Sequence, residues 1–473
     1  MTSTSTGRAH NIQPQKNKHT LSIKLKTFLD FFCSLLIIVV VHNKPEIATI
    51  KSCRPQTKQM DEQSTPLLAR PLESVAVSPK RKIVIGVSAV CIIVATTLLF
   101  IGHGSSSTAS RTAIMSLQEG KTKLQMAKDG LISYGVLAPS LKKELFNDFK
   151  LQYEKSYETD EEESKKFEVF QEFLSTVDAN NEKEKKAGGG AVHGITPFAD
   201  ISAEEFASRY LTYRPDYKNG RENVVQAVLS KKQTKSHNSG TISWRGKYTS
   251  EVSNQGYCGS CWAFATAEQV QSDAVRDGHM DLDDGKLSVQ QILDCDSVAN
   301  GYQTKDMGCT GGDPITAMDY IMKTGGLVME DTYPYTSYNG ADVPYGPLAG
   351  TKSSSTDSDS TCKKLKKSYV VTVKKYYQIT NEDDMVDYVS STGPLSVCVD
   401  ATEWQTYSYG VVTSCGMNVN HCVQISGYNT DGYYIIRNSW GSTWGEQGYL
   451  SLVSGKNACG ITTEALYTKT SKA

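Results

Sequence analysis

Net charge is almost absent from this chain. Its 473 residues carry 50 Lys and Arg against 51 Asp and Glu, which gives no reason to expect a nucleic-acid partner. Internal repeats are absent as well. A second close cysteine pair is missing: only Cys258-Gly259-Ser260-Cys261 has zinc-ligand spacing, so no zinc module is expected. Cysteine is also missing from the whole stretch 104–257. Three of the twelve (Cys33, Cys53 and Cys91) precede that gap, and nine fall between Cys258 and Cys459. Such crowding points to a disulfide framework around one domain, and so to an oxidising compartment. Nine is odd, which leaves at least one thiol unpaired.

The even charge hides an asymmetry. Residues 1–103 hold 13 Lys and Arg with 5 Asp and Glu, and the remaining 370 hold 37 and 46. A basic head on an acidic body suggests a membrane-oriented terminus carrying a soluble part. Within the head, 28–41 is apolar except for Asp30 and Ser34. As a helix it reaches ~21 Å, short of a ~30 Å hydrocarbon core. It reads as a signal-like segment, or as sequence upstream of a true start at Met60. Residues 83–102 are twenty without a charge, the length of a transmembrane helix. Lys80-Arg81-Lys82 precede that span and the next basic residue is Arg111. Positive charge stays inside, so 1–82 is expected to be a largely disordered cytosolic tail, with everything after 103 lumenal or extracellular.

Residues 103–140 read as a linker. From 141 to 210 the chain is charged and helical: Glu161-Glu162-Glu163 precede an apolar stripe of Phe167, Phe170, Phe173, Leu174 and Val177, until Gly188-Gly189-Gly190 breaks it. Residues 211–240 read as an exposed linker open to cleavage. From 241 to 473, 261 to about 277 is expected to be a helix, and 369–377, 395–399, 422–426 and 433–437 to be strands. Helices first and strands later make an α+β unit of two lobes. Ser353–Ser360 is a low-complexity insert.

The chemistry concentrates in Gln255-Gly256-Tyr257-Cys258-Gly259-Ser260-Cys261-Trp262. A cysteine that opens a helix meets the positive end of the macrodipole, which favours thiolate. A thiolate needs a proton partner, and that partner needs an orienting group. Downstream stand Asn420-His421-Cys422 and Asn438-Ser439-Trp440-Gly441-Ser442-Thr443-Trp444, with His421 before one apolar strand and Asn438 after another.

In these blocks and their order, 141–473 resembles a papain-family, cathepsin L-like cysteine protease with its inhibitory propeptide. The resemblance implies a two-lobed fold, helical on the left and an antiparallel β-barrel on the right, with a cleft between. It makes Cys261 the nucleophile, His421 the general base and acid, Asn438 its orienter and Gln255 the oxyanion donor. Trp440 shields the Asn–His bond and Trp444 is its neighbour. It also implies disulfides Cys258–Cys309, Cys295–Cys362 and Cys415–Cys459. Gly311, Gly312, Asp313 and Pro314 would bind substrate, with Asp313 and Asn420 at the rim of the pocket for the side chain preceding the cleaved residue. Cys398 and Cys422 would line that pocket, either joined as a fourth disulfide or, the favoured reading, as free thiols, and Glu464 would be its floor.

The propeptide helix motif falls on Glu162, Lys166, Phe170, Phe173, Val177 and Asn181, and a second motif on 194–200. Acid is expected to loosen it through carboxylates such as Asp200. The reaction needs no metal or cofactor. The partners implied are protein and peptide substrates, the chain's own propeptide as intramolecular inhibitor, and a membrane through 83–102, with a monomeric mature domain. The product would be an endopeptidase, active in a lysosome, a vacuole or the extracellular space after release from a membrane-anchored precursor. An exopeptidase of the same fold is less consistent, because 336–361 holds no histidine and no cysteine. An inactive homologue acting as a binding scaffold is disfavoured by the four intact positions.

Overall fold

The computed structural model describes residues 119–219, 221–228, 240–339, 362–363 and 365–473. The apolar stretches 28–41 and 83–102, Met60 and the insert 353–360 lie outside them. No helix among the described residues is long and apolar enough to cross a membrane.

The first unit is helical: α1 (119–128), α2 (Pro139–Gln152), α3 (Asp160–Lys186) and, after strand β1 (Val192–His193), α4 (Ala203–Tyr210). α3 forms where its caps and charges agree. The Thr159 hydroxyl accepts from the Glu162 amide, four acids occupy the first turn, and Lys183, Lys185 and Lys186 occupy the last. Its stripe of Phe170, Phe173, Leu174 and Val177 is buried against Leu145, Phe146 and Phe149 of α2. Leu124, Ala127, Tyr134 and Leu137 join the same core. The folded unit therefore begins upstream of 141, inside the expected linker, because those apolar residues complete the cover over α3.

The second unit has two lobes. The helical lobe contains α5 (Cys261–Arg276), α6 (Val289–Cys295) and α7 (Pro314–Thr324); α8 (Glu382–Ser391) lies on the strand lobe. The strands are β2 (Val224–Gln226), β3 (Thr241–Ser243), β4 (Val371–Ile379), β5 (Leu395–Val399), β6 (Tyr407–Tyr409), β7 (Val411–Val412), β8 (His421–Asn429), β9 (Tyr433–Arg437), β10 (Tyr449–Val453) and β11 (Glu464–Lys472). The main sheet follows the path β2-β4-β11-β5-β8-β9-β10-β7, with β3 beside β8. β2–β4 and β7–β10 are parallel and the other pairs antiparallel. An α+β fold stands, but pairing among the described residues leaves an open, mixed sheet rather than a closed antiparallel barrel. The two parallel edges are short segments, one of them from the expected processing linker, that add themselves to free strand edges.

Candidate active site

Two chain segments are held side by side at the head of α5. The Gln255 amide donates to the Ser439 carbonyl at 2.9 Å, the Gly441 amide donates to Ser253, and Asn254 bridges Trp440. This short ladder fixes 253–255 against 439–441. Cys261 opens α5 as its first residue, and the disulfide Cys258–Cys309 ties its approach to the Gly311-Gly312 segment. Gly312 must be glycine: a Cβ there would meet the Trp262 ring and the Asp306 carboxylate at 2.6 Å.

His421 begins β8, and Asn438 follows the last residue of β9, the neighbouring strand. Adjacent strands thus deliver both side chains to one sheet end. His421 Nε2 lies 2.9 Å from Asn438 Oδ1, which also accepts from the Ser439 amide at 2.8 Å. The Trp440 ring lies 4.7 Å from the imidazole, centroid to centroid, and Trp444 packs edge-on against it at 4.9 Å. Gln255 Oε1 accepts from the Ser439 hydroxyl at 2.7 Å, while one Nε2–H donates to the Cys258 carbonyl at 2.8 Å.

Into this site runs the chain after α4. The Tyr210 carbonyl lies 3.1 Å from His421 Nδ1, and the Thr212 hydroxyl lies 3.8 Å from Cys261 Sγ. The Tyr213 amide donates to the Asn420 carbonyl and the Arg214 amide to Gly312, both at 2.9 Å. The segment across Cys261 and His421 is therefore 210–214, at the end of the expected 141–210 region and inside the expected 211–240 linker. Phe198, Phe206 and Tyr210 pack edge-on around Trp440 at 5.4, 5.2 and 6.0 Å. Under this cover Cys261 and His421 are wholly buried. Burial pushes the thiol up and pulls the imidazole down to about 4, although Asn438 and the Tyr210 carbonyl favour its charged form. The thiolate expected at a helix start is thus suppressed while the cleft is covered.

The pocket beside the cleft differs from expectation in two ways. Cys398 and Cys422 are a disulfide, not free thiols. They stand directly opposite each other on β5 and β8, a pairing that exists only once the strands are in register. Asp313 is buried rather than at a rim: it caps α7, and Pro314 follows as the first helical residue. Glu464, opposite Cys398 on β11, is also buried. Arg221 bridges the two acids, 2.9 Å from Asp313 and 3.2 Å from Glu464, and the Tyr213 hydroxyl donates to Glu464 at 2.9 Å. Burial raises the Glu464 carboxyl well above its usual range and the Asp313 charge adds to this, against the Arg221 guanidinium. The other bonds, Cys295–Cys362 and Cys415–Cys459, match the implied pairings. That leaves Cys261 as the free cysteine among the described residues.

Sequence reasoning missed Tyr213, Arg221, Tyr335 and Trp404. Tyr335 OH donates to the Gln255 carbonyl at 2.7 Å, and the Trp404 carbonyl accepts from the Trp444 indole. Arg221 is one of several cations in 211–240, and nothing local in the sequence marks it as the one that meets the two pocket acids.

A sequence profile described as papain family cysteine protease matches residues 239–469, and one described as cathepsin propeptide inhibitor domain (I29) matches 146–206. Cysteine protease XCP2 of Arabidopsis thaliana is 35% identical over 342 residues, which is 69% of this chain and 86% of that protein. Cysteine proteinase B of Leishmania mexicana is 32% identical over 325 residues, 67% of this chain and 66% of that protein. Among solved structures, the digestive procathepsin L 3 of Tenebrio molitor larval midgut aligns with a TM-score of 0.56 at 30% identity, covering 69% of this chain and 99% of that one.

Proposed function

The chain belongs to the papain family of cysteine proteases and carries the family's propeptide, and on that premise we propose an endopeptidase zymogen whose chemistry is carried by Cys261, His421, Asn438 and Gln255. Once 210–214 leaves the cleft, water returns and the Cys261–His421 pair can exist as thiolate and imidazolium at the N-terminus of α5. The Cys261 sulfur attacks a peptide carbonyl. The oxyanion is held by the Cys261 amide and the free N–H of Gln255. His421, oriented by Asn438, gives its proton to the leaving amine and then takes one from the water that hydrolyses the thioester. Glu464 forms the floor of the pocket for the side chain preceding the cleaved residue and accepts arginine there; Arg221 already places a guanidinium against it.

The observation that carries this reading is the Tyr210 carbonyl on His421 with the Thr212 hydroxyl beside Cys261: the upstream segment occupies the place of a substrate. An epoxide thiol inhibitor tests it. The full chain should resist labelling at pH 7 and label at Cys261 after processing, and a Cys261→Ser chain should stay unlabelled throughout. Labelling elsewhere, or none after processing, rejects the assignment.

The precursor is further proposed to be tethered through 83–102 with its protease domain lumenal, and to release a monomeric enzyme into a lysosome-like, vacuolar or extracellular compartment. What supports this is the uncharged span behind Lys80-Arg81-Lys82 together with four disulfides downstream of it. Extraction of the full chain from membranes by alkaline carbonate would reject the tether.

A further inference from the structure

We propose that His193 is a proton-operated release for the propeptide: its neutral ring is part of the clamp on the protease domain, and its charged ring forces the two apart. This goes beyond the reaction and beyond simple occlusion of the cleft.

His193 lies on β1, which pairs with β6 of the protease domain, so that its backbone faces Tyr407. Asn181 holds that backbone from α3, its side-chain amide bonded to both the His193 carbonyl and the His193 N–H. His193 is 2% exposed, with Nδ1 at 2.7 Å from the Thr406 hydroxyl oxygen. That hydroxyl donates its single proton to the Glu403 carbonyl and accepts from Asn180 Nδ2. What it has left to offer is a lone pair, so Nδ1 carries the ring proton. Nε2 is then bare, and it has no hydrogen-bond partner. A second proton can enter only at Nε2, where no acceptor receives it.

The surrounding charges do not rescue it. From α3 comes Lys183, whose ammonium disfavours another positive charge nearby and is itself paired with Glu403. Glu184 on the same helix is engaged by the Thr413 amide and hydroxyl and the Ser414 amide. β6 contributes Tyr407 and Tyr409, both neutral, with Asp129 acting on Tyr409. Burial, with Lys183 adding to it, pulls the imidazole from 6.5 to about 4. The docked form therefore prefers neutral His193: its contribution is complete above 6.5 and is lost as pH falls toward about 4. Between pH 7 and 4.5 this one group shifts the docking equilibrium by roughly 50-fold toward release.

The test uses the full chain and reads access to Cys261 by iodoacetamide alkylation and peptide mass spectrometry. His193→Gln and His193→Leu stay neutral at every pH, and neither residue remains in the processed enzyme, whose activity should match wild type. Dividing wild-type by variant labelling rates at each pH cancels the titration of the thiol itself. The ratio should rise roughly 50-fold from pH 7 to 4.5. A flat ratio overturns the proposal. So does full labelling of both variants at pH 7, since His193 would then only hold the clamp and never open it.

Discussion

At the scale of single residues, the proposed mechanism separates groups that react from groups that hold them. Gln255 is anchored by its backbone to Ser439 and through Oε1 to the Ser439 hydroxyl, so Gln255→Ala should leave the fold intact. Losing one oxyanion donor should lower kcat by ~10²–10³ with little change in KM, read in steady-state kinetics of the processed enzyme. Glu464 should act in KM and kcat together, through substrate choice. A charged hydrogen bond in a partly desolvated pocket contributes ~1.5–3 kcal/mol, about ten- to a hundred-fold. Glu464→Ala should reduce kcat/KM for Arg-Arg fluorogenic substrates by that factor and spare Phe-Arg substrates. Burial and Asp313 raise the Glu464 carboxyl, so the preference for arginine should be strongest near neutral pH and fade as acid protonates it. An unchanged ratio between the two substrates would remove Glu464 from the pocket floor.

At the scale of elements, α4 is the plug. Its Ser202 cap starts the helix, and Phe206 and Tyr210, one turn apart, close over Trp440 together with Phe198. Phe206 is fully buried, and truncating a buried phenylalanine costs about 3 kcal/mol or more. Phe206→Ala should therefore raise the open fraction of the zymogen at pH 7 by about two orders of magnitude, seen as hydrolysis of a small fluorogenic substrate before any cleavage of the chain. Ser202→Ala should give a weaker effect of the same sign, about 1 kcal/mol for a lost cap. The helix motif was legible because its period, its acids and its caps are all local features. The plug was not. Nothing in the sequence of 198–210 states that its aromatics meet Trp440, more than 200 residues away, so the covering segment fell just beyond the expected boundary at 210.

At the scale of the whole molecule, the helical lobe carries a pH dependence of its own. Asp296 and Asp306 are buried: burial and then the Asp306 charge raise the Asp296 carboxyl well above its usual range, while burial, with the Asp313 charge adding to it, raises Asp306 to about 7 even though a hydrogen bond with Asp296 opposes the shift. A raised carboxyl favours the folded state in its protonated form. That stabilisation is complete below 3.8 and lost as pH climbs through about 7. The protein should melt at a higher temperature at pH 5 than at pH 7.5, and Asp296→Asn should flatten this difference in calorimetry. An unaltered slope would acquit the pair. The sequence by itself determined the family, the α+β class and three disulfides, and it singled out the Cys261, His421 and Asn438 proposed to react, because fixed spacings of rare residue types are written in chain order. Only the tertiary structure decided that Cys398 and Cys422 bond, that Arg221 joins Asp313 to Glu464, and that Tyr210 and Thr212 cover the site. Each depends on strand register or on a segment meeting a distant surface, and the energy of such contacts belongs to the pair and to neither stretch of sequence alone.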